Sequence, residues 1–143
     1  MIVTLVAGLL RLSGLTATGI VFDEGYYVGD ACAFVHATPE CVGAEDDNAP
    51  HPPLGIWAIG FGVELLGFGR GGWRVASLAA GTLTVALLYL LARKVVGSTL
   101  AASVAAGLLA VDFLHFVHSR LAMLDVFLAL FAVAAFLFVS LDR

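Results

Sequence analysis

The chain has 143 residues, of which 61% are hydrophobic and 13% charged, with a formal net charge of −4. A soluble domain of this length cannot bury so much apolar surface, so the composition points to an all-α, multi-span membrane protein. Eight of the eleven acids fall between Asp23 and Glu64, a stretch that holds no Lys or Arg; there is no basic patch, which excludes nucleic acid as a partner.

At about 20 residues per span there is room for roughly four spans and one substantial loop. Residues 1–20 are apolar except for Arg11. As one span they would hold Arg11 near mid-membrane, at about 2.5–3.5 kcal/mol on insertion scales. As a signal peptide they lack a basic residue before the apolar run. The preferred reading makes Arg11 the polar end of a partial first span, with Met1 inside a longer parent protein. Residues 21–72 then form a long outer loop. It carries Asp23, Glu24, Asp30, Glu40, Glu45, Asp46 and Asp47 and ends in Pro50-His51-Pro52-Pro53, where the prolines impose an extended entry to the next segment. Tyr26 to Phe34 suits a short helix. Residues 54–68 are apolar but too short to cross, and Trp57 suits the headgroup level, so a juxtamembrane helix is expected there.

Residues 73–92, 99–118 and 123–141 are expected as transmembrane helices, the first closed by Arg93-Lys94. Ser77 and Gly81, and Ala101 and Ala105, have the four-residue spacing of close helix packing in lipid. With residues 54–68 on the surface, the acidic loop, Arg74, Arg120 and Asp125 share one side and Arg93-Lys94 the other. A tight basic turn favours the cytoplasm for the latter. Cys32 and Cys41 lie in the loop; as a disulfide they would need an oxidising compartment, and two unpaired thiols are the alternative.

One membrane face thus collects Asp23, Glu24, His51, Arg74, Arg120 and Asp125. A carboxylate beside an apolar wall moves toward the range of a general base, and arginines match phosphate oxygens bidentately. Such a set suits transfer of a group from a lipid phosphate to a hydroxyl. Bland roles exist for each: solvated loop acids, a surface histidine, arginines snorkelling to headgroups, and Asp125 as a helix cap. Asp112, with His115 and Ser119 on the same helical face, is either a proton relay of a transporter or a polar brace between helices. No cluster with metal-ligand spacing occurs, and neither a metal nor another cofactor is expected.

Four stretches together resemble the N-terminal part of a protein O-mannosyltransferase, a family of GT-C-fold glycosyltransferases that use polyprenyl-phosphate sugars. They are Val21-Phe22-Asp23-Glu24-Gly25-Tyr26-Tyr27, His51-Pro52-Pro53-Leu54-Gly55, Gly72-Trp73-Arg74 and the run from Leu114 to Asp125. The resemblance implies that Asp23 is the catalytic base with Glu24 as its partner. It implies that Arg74 is an arginine required for activity, and that Asp125 is the acid of the second outer loop. His51, Arg74, Arg120 and Asp125 would serve the donor phosphate. It further implies mannose transfer from a polyprenyl (dolichyl-type) phosphate to protein Ser/Thr hydroxyls, with inversion, at the extracytoplasmic membrane face. Where the family has a lysine after His-Pro-Pro-Leu-Gly this chain has Ile56, which removes a cation from the donor site. Lipid-linked aminoarabinose transferases share the general plan and are the neighbouring alternative.

Overall fold

The computed structural model describes residues 2–21, 23–35, 39–42 and 51–142. Glu45, Asp46 and Asp47 of the acidic loop lie outside the described residues. The described residues form seven α-helices and one 3-10 turn: α1 Ile2–Leu12, α2 Glu24–Val35, the turn Pro39–Cys41, α3 Pro53–Leu66, α4 Arg70–Val96, α5 Thr99–Val111, α6 Phe113–His118 and α7 Asp125–Leu141.

α4 is the central helix, packed against α1, α3, α5 and α7. At 27 residues, about 40 Å, it is the one described helix long and apolar enough to cross a membrane. It stops at Gly97, whose left-handed φ of 74° closes the helix, and Ser98 then caps α5 by accepting from the Ala101 N–H at 3.3 Å. The expectation of about four spans is therefore met in helix length by α4 alone; α1, α3, α5 and α7 run 11, 14, 13 and 17 residues.

The predicted single helix over 99–118 is broken at Asp112, which adopts extended backbone (φ −57°, ψ 125°). The cause is local. Its carboxylate accepts the His115 N–H at 2.8 Å, an N-cap bond that competes with continuation of the helix. Asp112 is thus exposed at a helix junction rather than buried between helices. The small-residue face of α5 is also displaced by one position, to Ala102, Ala106 and Ala110. On α4, Ser77 and Gly81 are buried as expected.

α3 lies across the first turns of two longer helices. Gly55 sits beside Leu124 and Phe127 at the start of α7, and Gly62 against the Gly72 carbonyl and Val75 at the start of α4. Gly60 meets Val35 and Ala31 of α2. Only side chains as small as hydrogen permit these approaches. The core around Tyr27, Ala31, Cys32, Ile59, Val63, Trp73, Val126 and Phe127 therefore gathers α2, α3 and the starts of α4 and α7 at one end of the molecule.

A second core joins Ala7, Val85, Ala106 and Ala110. Between the two lies Arg11, which is fully buried rather than a solvated helix end. Its Nε donates to Ser119 Oγ at 2.8 Å and its NH1 to the Ala7 and Ala110 carbonyls. His115 Nε2 pairs with the Gly81 carbonyl at 3.2 Å. These contacts make the Arg11, His115 and Ser119 group a polar brace between α1, α4 and α6. Outward, Leu100, Val104, Leu108 and Val111 of α5 and Leu128, Phe131 and Phe138 of α7 are exposed.

Candidate functional site at the α2–α3–α7 end

The site is built at the end where α3 crosses the others. Its centre is the pair Glu24–Arg74, both wholly buried. Arg74 Nε donates to Glu24 Oε1 and NH2 to Oε2, each at 2.6 Å. The remaining N–H groups go to the carbonyls of Leu15 at 2.7 Å, Thr18 at 3.3 Å and Gly19 at 2.7 Å, and to Thr18 Oγ1. All five guanidinium N–H groups are thereby met inside the chain. Glu24 completes the knot by accepting from the Val21 and Ala122 N–H groups. One carboxylate thus ties the start of α2, the start of α4 and the segment leading into α7.

The other two arginines of this end turn to the same segment. Arg70 donates to the Thr16 carbonyl at 2.9 Å, and Arg120 to the Ser13 carbonyl. Arg120 also lies over the Phe116 ring, 5.0 Å from its centroid, and lines a small cavity of about 180 Å³ with Gly14, Thr18 and Val21.

Asp23, adjacent to the buried pair, is exposed, and its carbonyl accepts from the N–H groups of Tyr26 and Tyr27 to start α2. One turn on, Tyr27 is buried and reaches a larger cavity of about 380 Å³. The polar lining there is Tyr27, His51 and Asp125; the walls are Leu54, Leu124, Phe127, Leu128 and Phe131. His51 stands edge-on to Tyr27 with ring centroids 5.4 Å apart, and His51 Nδ1 is buried with no partner among the described residues. Asp125 is exposed at the lip, with Oδ2 3.3 Å from His118 Nδ1. Burial first, then the charges of Asp23, Asp125 and Asp30, push the Tyr27 phenol above its usual range.

The structure therefore brings His51 and Asp125 onto one cavity, holds Asp23 within electrostatic reach of it, buries Glu24 with Arg74 behind it, and leaves Arg120 on a separate, smaller one. Tyr27 and His118 had been given no role from sequence. The signal for Tyr27 was its position four residues after Asp23, one helical turn; nothing in the sequence pairs His118 with Asp125. Cys32 and Cys41 form a disulfide that holds α2 to the 3-10 turn. Among the described residues no group of His, Cys, Asp and Glu is arranged to hold a metal.

The sequence pattern of the family described as "Dolichyl-phosphate-mannose-protein mannosyltransferase" matches residues 50–141. The chain belongs to this family. It is similar to the polyprenol-phosphate-mannose–protein mannosyltransferase of Mycolicibacterium smegmatis, 37% identical over 99% of this chain and 28% of that protein. The proteins of the same name from Mycobacterium tuberculosis and Corynebacterium glutamicum are 36% and 35% identical, over 94% and 92% of this chain and 26% of each relative. The chain thus spans about a quarter of the length of the curated mannosyltransferases it matches. No solved structure matches it. Of the site, His51, Arg74, Arg120 and Asp125 fall within the stretch matched by the family pattern, and Asp23 and Glu24 precede it.

Proposed function

We propose that this chain forms part of the catalytic site of a protein mannosyltransferase. The enzyme transfers mannose from a polyprenyl-phosphate donor to Ser or Thr hydroxyls of proteins at the extracytoplasmic membrane face, with inversion. The observation that carries this reading is the cavity of about 380 Å³, polar at Tyr27, His51 and Asp125 and apolar along α7 to Phe131. Its shape suits a ligand with an anionic head and a hydrocarbon tail, in a chain whose relatives are named for such a donor.

Asp23 takes the proton of the acceptor hydroxyl as the oxygen attacks the anomeric carbon. The bond from that carbon to the phosphate oxygen breaks, and the electron pair leaves with the lipid phosphate, which needs fixed donors more than a strong acid. His51 supplies a donor at the cavity it shares with Asp125, Arg120 lines the smaller one, and Asp125 orients groups at the lip. With its donors used inside the chain, Arg74 acts through Glu24, fixing the start of α2 and hence Asp23. The Cys32–Cys41 disulfide supports an oxidising compartment for this end.

The test is transfer by the longer protein that contains this sequence. Asp23→Asn should abolish mannose transfer from polyprenyl-phosphate mannose to an acceptor peptide while membrane insertion is unchanged; retained transfer removes Asp23 from the role. The 143-residue chain by itself should show no transfer.

A further inference from the structure

An anionic head in the larger cavity needs hydrogen-bond donors, and the two arginines that sequence alone would assign to it, Arg74 and Arg120, are turned elsewhere, as is the neighbouring Arg70. Arg70, Arg74 and Arg120 all donate to carbonyls of residues 13–19. Of the three polar side chains lining the cavity, Asp125 in its ionised form only accepts. That leaves His51 and Tyr27. Tyr27 is fixed at its backbone by the Asp23 carbonyl at 3.1 Å, packed edge-on against His51, buried, and part of the cavity lining.

Resting on the transferase reading, we propose that Tyr27 is a substrate-binding residue whose hydroxyl donates a hydrogen bond to a phosphate oxygen of the lipid-linked donor. The neighbouring acids favour such a neutral donor. Burial first, then Asp23, Asp125 and Asp30, move the phenol further above its ordinary range, so the hydroxyl keeps its proton and remains a donor near neutral pH. It also adds no further charge to a lip where Asp125 already faces His118. A tyrosine has a reach that a backbone N–H lacks, and its ring supplies apolar wall as well.

The experiment uses the full chain in phosphatidylcholine nanodiscs, with polyprenyl phosphate and the uncharged polyprenol as paired probes, bound complexes being counted by native mass spectrometry. Tyr27→Phe keeps the ring and removes the donor. It should weaken polyprenyl phosphate about tenfold and leave polyprenol unchanged. Wild-type affinity for the phosphate in Tyr27→Phe, or equal losses for both probes, overturns the assignment to Tyr27. If the wild-type chain shows no preference for polyprenyl phosphate over polyprenol, the donor-site reading itself fails. An arm independent of any variant follows tyrosine absorbance in the wild-type chain. Saturating polyprenyl phosphate should move one tyrosine's ionisation to higher pH, polyprenol should not, and an unmoved titration counts against the bond.

Discussion

Glu24 and Arg74 show how a pair of residues with evident chemistry can be used for architecture. A guanidinium and a carboxylate buried together stabilise the fold only when every donor is met, and here all are. Removing one partner leaves an uncompensated buried charge. Glu24→Gln or Arg74→Met should therefore cost about 3–5 kcal/mol, measured by thermal or denaturant unfolding in detergent. Joint replacement by Gln and Met should cost less than the sum of the single changes, because no lone charge remains. Arg74→Lys should also destabilise, since an ammonium cannot reproduce the fork. Tyr27 offers a separate measurement at this scale. Its folded pKa lies above the unfolded value of about 10. Its stabilisation is thus present below pH of about 10 and is lost as pH rises through the folded pKa. The alkaline fall in stability should be shallower in Tyr27→Phe. The sequence exposed the ionisable residues themselves, because carboxylates and arginines are conspicuous in an apolar chain. It did not single out Arg74 as the partner of Glu24. Glu24 and Arg74 are separated by 50 positions, and nothing local to either distinguishes a phosphate-binding arginine from one saturated by loop carbonyls.

Among the elements, α3 was the most legible. Fourteen residues after a Pro-His-Pro-Pro run are short for a span, and the expected separate helix forms there, lying across the starts of α4 and α7. Its three glycines look like helix weakeners in sequence, yet all three are contact points. A Cβ at Gly62 would meet the backbone oxygen of Gly72, which has no flexible side chain to yield. Gly62→Ala should destabilise by about 1–3 kcal/mol through overpacking. Gly107→Ala, in the middle of α5 with open space where the Cβ would go, should stabilise by up to about 1 kcal/mol from helix propensity alone. Unfolding both variants beside wild type separates packing from propensity; equal effects would mean that α3 does not press on α4. The break between α5 and α6 was not legible, because the apolar pattern of 99–118 is continuous and only the backbone choice of Asp112 interrupts it. An aspartate can either sit on a helix face or cap a new helix; here its carboxylate takes the His115 N–H, and the contacts of His115 with Gly81 and of Ser119 with Arg11 hold the new helix in place.

At the scale of the molecule, the acids far apart in sequence open onto one end, and this is what the transferase reading needs. Asp23 and Asp125 both act on Tyr27, and Glu24 bonds the Ala122 N–H at 2.9 Å. The basic turn after α4 lies a helix length of about 40 Å away, comparable to a bilayer with its headgroups. If α4 crosses the membrane, the carbonyl-clasped segment 13–19 and the turn at 93–97 must face opposite compartments. The two native cysteines are joined to each other, so single introduced cysteines report without interference. Thr16→Cys and Val96→Cys are both at exposed positions. In intact cells an impermeant maleimide should modify Thr16→Cys, whereas Val96→Cys should react only after permeabilisation. Reaction of both from outside would mean that α4 does not cross. The reverse pattern would put the acids and the disulfide in the cytosol, away from any extracytoplasmic acceptor, and would remove the compartment on which the proposed reaction depends.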